Sequence, residues 1–224
     1  MSQDNKISTS TPPSGAGGIV IINYGAGNIQ SIMFAIERLG YKAVLSNDPA
    51  EIKAADKVIF PGVGEASSAM KMLLASGLDA LIPTLTQPVL GICLGMQLMC
   101  NKTEEGNTQG LGIFDVDVLK FSNKVKVPQM GWNTIYNLKS DLFKDISEDE
   151  YMYLVHSFYA PDCVESIATT NYEQEYASAL QKNNFYGTQF HPEKSGDVGE
   201  KILGNFLQLY TLNLKPETKK KSCV

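Results

Sequence analysis

The run Pro88-Val89-Leu90-Gly91-Ile92-Cys93-Leu94-Gly95-Met96-Gln97 decides the fold. Its apolar first half reads as a strand buried on both faces, and residues 94–100 follow as a helix. Gly91 and Gly95 flank a cysteine where larger side chains would collide in a tight strand-to-helix turn. Residues 91–95 therefore read as a nucleophile elbow, the cysteine counterpart of the G-x-S-x-G turn. Cys93 then stands at a helix start, where free N–H groups and the backbone dipole favour a thiolate. A free thiol titrates near ~8.5, so some lowering is needed for nucleophilicity at neutral pH. The plainer reading is a small buried cysteine in a packing turn, since cysteine is often buried.

Upstream, the same strand–turn–helix unit recurs. Ile19-Val20-Ile21-Ile22 is a β-branched run, Asn23-Tyr24-Gly25-Ala26-Gly27-Asn28 a turn, and residues 29–39 carry helical spacing closed by Gly40. Val44-Leu45 gives a short strand before an Asn47-Asp48-Pro49 turn. Lys57-Val58-Ile59-Phe60 gives another, ending in Pro61-Gly62-Val63-Gly64 ahead of a helix over 66–74. Units at this pace predict an α/β fold, a mostly parallel central sheet with helices on both faces. From Leu111 onward, alternating runs at 114–121, 134–137, 152–155, 177–180 and 185–190 predict added antiparallel or mixed strands. Residues 198–210 predict a last amphipathic helix, with Ile202, Leu203, Phe206, Leu207 and Tyr210 on one side.

The length of 224 residues suits one sizeable domain, set at 18–213. Residues 1–17, polar and rich in Ser, Thr, Pro and Gly, are expected to be a disordered extension without the features of a secretory signal. Residues 214–224, with Lys219, Lys220 and Lys221, are expected to be a flexible basic tail. No apolar run approaches the ~20 residues that cross a bilayer, and a net charge of -5 argues against nucleic-acid binding, which needs a basic face. Cys93, Cys100, Cys163 and Cys223 form neither a CxxC pair nor a disulfide pattern, so reduced thiols in a cytoplasmic protein fit best.

Only two histidines are present, His156 and His191. His191-Pro192-Glu193 follows the apolar strand ending Gly187-Thr188-Gln189-Phe190. At a sheet's carboxyl edge its side chains can face the turn after a neighbouring parallel strand. His191 can act as general base toward the thiol and then as general acid toward a leaving amine, while Glu193 holds the imidazole tautomer. The H-x-E of zinc deaminases needs a downstream P-C-x-x-C; only Cys223 follows, and no metal or other cofactor is expected. The glycines of Pro61-Gly62-Val63-Gly64 allow close backbone approach, and its N–H groups with that of Leu94 can bind an oxyanion. Gly25-Ala26-Gly27 lacks the third glycine of a dinucleotide fingerprint, its place being taken by Gln30. His156 reads as a hydrogen-bonded residue near a strand end.

Taken together, Gly91-Ile92-Cys93-Leu94-Gly95-Met96-Gln97 and His191-Pro192-Glu193 resemble the triad motifs of class I glutamine amidotransferases. Asn23 to Asn28, Pro61-Gly62-Val63-Gly64, Met130-Gly131-Trp132-Asn133 and His191-Pro192-Glu193-Lys194-Ser195 resemble one branch, the glutaminase subunits of imidazole glycerol phosphate synthases, over roughly 19–212. The resemblance implies that Cys93 forms a glutamyl thioester from glutamine, with ammonia passed to a cyclase barrel subunit in histidine biosynthesis. It implies an oxyanion hole at Val63 and Leu94, beside Gly62 and Gly64, and a glutamine pocket with Gln97, Glu105, Ser157 and Phe158. It also implies a partner interface near Asn28, Trp132, Asn133, Tyr153 and Lys194. The family commonly has His before Met-Gly-Trp-Asn; here Gln129 stands at that interface-associated position. Three other readings compete with this one: the same glutaminase serving another synthase, such as a sugar amidotransferase; a non-catalytic regulatory subunit; and a related peptidase-like hydrolase, in which His rather than Leu94 typically follows the nucleophile.

Overall fold

The computed structural model describes residues 18–25 and 27–209. The expected amino-terminal extension, the basic tail, Tyr210 and Cys223 lie outside the described residues. The first part of the chain alternates strands and helices: β1 (Ile19–Ile22), α1 (Ile29–Arg38), β2 (Ala43–Ser46), α2 (Pro49–Ala54), β3 (Lys57–Phe60), α3 (Ala66–Ser76), α4 (Leu78–Leu81), β4 (Val89–Ile92) and α5 (Leu94–Met99). The second part is mostly strands: β5 (Lys102–Thr103), β6 (Thr108–Gln109), β7 (Asp117–Lys120), β8 (Gln129–Ile135), β9 (Glu150–His156), β10 (Phe158–Pro161), β11 (Ser166–Asn171), β12 (Glu175–Lys182) and β13 (Phe185–Thr188). Helix α6 (Gly196–Gln208) closes the described chain.

The main sheet runs β2-β1-β3-β4-β13-β12-β10-β7-β5-β6, with β11 attached to β12. From β2 to β13 every pairing is parallel. Beyond β13 the pairing to β12, then β10, then β7 is antiparallel. The strand-to-strand alternation of side chains divides the core in two. Val20, Ile22, Val58 and Phe60 pack with α3 on one face; Ile19, Ile21, Ile59, Leu90 and Ile92 pack with α1 and α6 on the other. No helix among the described residues is long and apolar enough to cross a membrane.

Differences from the sequence reading have local causes. The Asn47-Asp48-Pro49 turn is also a helix start: Asp48 accepts from the Ala50 N–H at 2.7 Å, and Pro49 occupies the first turn of α2. Strands β10 and β11 were not foreseen; β11 carries Ser, Ala and Thr with no alternation because nearly all of it is buried. The strand expected over 134–137 begins earlier and pairs along its whole length with β9, from Gln129↔His156 to Ile135↔Glu150. This two-stranded ribbon, outside the main sheet, includes Trp132 and Tyr153 as a cross-strand pair.

Candidate active site

Strands β4 and β13 are parallel neighbours in register Thr188↔Ile92, so the residues after each leave the sheet at the same edge. Cys93 is the next residue after β4; His191 follows β13 by three. The Cys93 N–H donates to the Thr188 carbonyl at 2.7 Å, tying the elbow to the strand that delivers the histidine. Cys93 holds φ 53 and ψ -110, a strained conformation for a residue with a Cβ and the expected geometry of a nucleophile elbow.

Four glycines make the elbow sterically possible. A Cβ at Gly95 would lie 2.1 Å from the Phe60 carbonyl oxygen, and one at Gly91 2.3 Å from Met99. One at Gly187 would strike Met96 at 2.3 Å. At Gly62 a Cβ would meet Gly95 N at 2.4 Å, so the Pro61–Gly64 turn and the Leu94–Gly95 backbone lie against one another, as a shared oxyanion hole requires. The turn is held from its other side as well. Tyr24 Oη donates to the Pro61 carbonyl at 2.8 Å, and a Cβ on Gly27 would press on Pro61 Cβ at 2.8 Å. Gly27 thus serves close packing against this turn. Beyond Pro61 and Gly62 the turn loosens: Gly64 has φ 98 with open space around it, and Val63 is 39% exposed.

His191 and Glu193 are both buried. His191 Nδ1 lies 2.8 Å from Glu193 Oε1, leaving Nε2 for the sulfur side. Burial pulls the imidazole's pKa down. The hydrogen bonding and charge of Cys93 and of Glu193 outweigh it, raising the His191 pKa to about 10. The pair is therefore biased toward imidazolium beside sulfur. The loop is fixed by the β9 ribbon strand: the His191 N–H donates to the Tyr153 carbonyl at 2.9 Å. Ser195 Oγ donates to the His191 carbonyl at 2.7 Å and accepts from the Tyr153 N–H at 3.0 Å.

Gln97, one helical turn beyond Cys93, is buried and donates from Nε2 to the Phe158 carbonyl and to Gln189 Oε1, each at 2.9 Å. Gln189 Nε2 lies 3.7 Å from Cys93 Sγ. Gln189 was not singled out from sequence; its place two residues before His191, at the end of a strand where alternate residues share a face, is the signal that points to it. Glu105 is half-buried at the amino end of α3, accepting from the Ala66 N–H at 2.9 Å. Burial pushes its carboxyl up, opposed by that hydrogen bond. The Ser157 carbonyl accepts from the Phe121 N–H at 3.1 Å. His156 is a hydrogen-bonded strand-end residue: Nδ1 lies 2.8 Å from the Phe158 carbonyl, and burial pushes its pKa down to about 4.

The expected interface residues divide. Trp132 is 55% exposed, with Tyr153 edge-on at 6.1 Å and Lys194 Nζ 5.8 Å from the Tyr153 ring. Met130 and Tyr151, not foreseen, extend this surface at 65% and 60% exposure. Asn28 begins α1 and accepts from Ser31 Oγ at 3.1 Å. Asn133 donates to the Asn171 carbonyl at 2.9 Å. Gln129 is turned inward by strand alternation: its side chain is buried, and Tyr176 Oη donates to Gln129 Oε1 at 3.0 Å.

The sequence over 20–209 matches the family model for glutamine amidotransferase class-I. The chain belongs to the class I glutamine amidotransferases. Within that family it is 57% identical over 194 residues to the imidazole glycerol phosphate synthase subunit HisH of Bacteroides fragilis, covering 85% of this chain and 99% of that protein. It is 44% identical over 194 residues to the protein of the same name in Yersinia pseudotuberculosis, again covering 85% and 99%. In fold it is similar to a crystal structure described as a glutamine amidotransferase, with TM-score 0.67, 15% identity and coverage of 85% and 97%. It is also similar in fold to PurLQS of Thermotoga maritima, with TM-score 0.64, 16% identity and coverage of 84% and 96%. The mixed sheet flanked by helices is this amidotransferase fold.

Proposed function

We propose that this amidotransferase is the glutaminase subunit of an imidazole glycerol phosphate synthase, working in the cytoplasm with a cyclase barrel subunit. The observation that carries the reading is the placement of Cys93, the His191–Glu193 pair and the Gly62–Val63 turn at one edge of adjacent parallel strands. The HisH names of the relatives support the choice of synthase.

In this reading the Cys93 sulfur attacks the side-chain amide carbon of glutamine. The carbonyl oxygen takes the negative charge, which the Val63 and Leu94 N–H groups stabilise. His191, charged beside the sulfur, gives its Nε2 proton to the amide nitrogen; the C–N bond breaks and ammonia leaves, with a glutamyl thioester on Cys93. Neutral His191 then takes a proton from water as its oxygen attacks the thioester. The carbon–sulfur bond then breaks, glutamate departs, and the anionic sulfur is left beside the imidazolium as at the start. Glu193 keeps Nδ1 protonated and offsets the imidazolium charge throughout.

Both N–H groups of the Gln97 amide are engaged, so only its oxygen is left to meet substrate; that oxygen and the Glu105 carboxylate suit the α-ammonium of glutamine. Trp132, Tyr153 and Lys194, with Met130 and Tyr151, form the surface offered to the cyclase. A large exposed aromatic beside a cation is the kind of anchor on which interface energy concentrates. The reading involves neither nucleic acid nor membrane.

The test is ammonia release from glutamine, measured alone and with the cyclase plus its nucleotide substrate. Weak turnover alone and a marked rise in the complex is expected. Equal turnover in both settings excludes coupling to this partner, and no turnover in either excludes the glutaminase itself. Activation by a different synthase and not by the cyclase would identify another ammonia acceptor.

A further inference from the structure

The hydrogen-bond pattern around Gln97 leaves no freedom in how the next amide is oriented. The Phe158 carbonyl can only accept, so the Gln97 atom 2.9 Å from it must be the amide nitrogen. The second hydrogen of that nitrogen points to Gln189 at 2.9 Å, which must therefore present its oxygen to Gln97. The nitrogen of Gln189 is left facing Cys93 Sγ at 3.7 Å. Gln189 is fully buried, and its backbone is pinned through its own N–H to the Ser178 carbonyl at 2.8 Å. Neither Glu193 nor the triad as read from sequence uses this donor.

We propose that the Gln189 side-chain amide is a further catalytic group of the glutaminase, an N–H donor to the reacting sulfur, and that Gln97 is the positioning residue that aims it. A buried donor at fixed distance favours the anionic sulfur over the thiol, and does so without adding a charge. It also remains at the sulfur when the thioester breaks and negative charge returns there. The proposal rests on the glutaminase reading for the sulfur's role, yet its core concerns only the sulfur and the amide.

The titratable groups that sense Cys93 are the His191 imidazole, backed by Glu193, and the Tyr24 hydroxyl, whose ionisation the sulfur opposes. From β9 the uncharged Val155 carbonyl faces the sulfur at 3.9 Å. Each is left intact in the test. The rate of Cys93 alkylation by iodoacetamide is followed across pH in the full chain, with mass spectrometry locating the label at Cys93. Gln189→Met keeps length and packing and removes the donor; Gln189→Glu keeps shape and offers only acceptor atoms when ionised. The expected result is an upward shift of the alkylation midpoint by about one pH unit in Gln189→Met, from loss of a hydrogen bond to a charged group, and a larger one in Gln189→Glu. An unchanged or lowered midpoint in a folded Gln189→Met protein overturns the proposal. Should that variant not fold, Gln97→Met decides: releasing Gln189 from its orienting donor raises the midpoint by a smaller amount, and no rise overturns the proposal. A raised midpoint in a protein that never turns over glutamine supports the donor and removes the glutaminase reading instead.

Discussion

The nucleophile elbow and the β8–β9 ribbon are built on opposite terms. Around Cys93, four glycines are required because atoms of β3 with its following turn and of α5 already fill the space a Cβ would need. On the ribbon, Gly131 has nothing within 4 Å of a Cβ, and Met130, Trp132 and Tyr151 stand exposed. One region is finished by this chain alone; the other presents apolar area that the described residues do not cover. The two are joined through β9, whose Tyr153 backbone bonds to His191 and Ser195 and whose Val155 carbonyl faces the Cys93 sulfur. The elbow is thus set in a close-packed frame, while the exposed aromatic surface sits on a two-stranded element whose backbone holds His191.

The comparison can be broken at several points. The largest effect is expected from Cys93→Ala: glutamine hydrolysis should fall by roughly 10⁴-fold or more, since covalent catalysis has no substitute here. Calorimetric affinity for the cyclase should stay unchanged, and retained turnover would show that the elbow is not the reacting centre. Next, Gly95→Ala places a methyl 2.1 Å from the Phe60 carbonyl oxygen, a backbone atom that cannot yield. It should cost about 3 kcal/mol or more in urea unfolding. Gly131→Ala should cost about 1–2 kcal/mol, from its positive φ of 131 alone. Equal costs would erase the distinction between a filled and an open site.

Trp132→Ala probes the other region. Because the ring is half-exposed, unfolding free energy should move by less than about 1 kcal/mol, while cyclase affinity should drop by about 2 kcal/mol, near 30-fold. A large loss of stability with intact binding would make Trp132 a core residue.

Smaller effects follow from titration. His191 has its folded-state pKa raised from 6.5 to about 10. Its pairing therefore stabilises the fold fully below about 6.5, and that contribution is lost as pH rises toward 10. Removing the sulfur partner in Cys93→Ala should flatten the decline of the unfolding midpoint over this window, and an identical slope would deny the pairing. His156 runs the other way: burial lowers its pKa from 6.5 to about 4. The unfolded chain then takes up a proton first as pH falls from 6.5, and stability drops until about 4. His156→Gln should show a shallower acid limb than the parent.

Much of this was readable in the residues themselves. The parallel half of the sheet followed from repeated apolar runs with glycine turns, because strands buried on both faces need unbroken apolar sequence. The elbow followed from glycines at fixed offsets about a cysteine. Strand β11 escaped notice because its Ser, Ala and Thr residues are buried by neighbours distant in sequence, which no local period records.

Sequence by itself determined which groups can do chemistry: one cysteine in an elbow, one histidine followed by a glutamate, one glycine turn able to offer N–H groups. Only the tertiary structure decided which of them meet. The parallel register of β4 and β13 sets Cys93 and His191 at one edge. The turn of β8 buries Gln129 and exposes Trp132, and the aim of the Gln189 amide at sulfur depends on a carbonyl and a glutamine from two other elements. The physical reason is that residue type fixes charge and hydrogen-bonding capacity, whereas direction is supplied by whichever neighbour the fold packs against it.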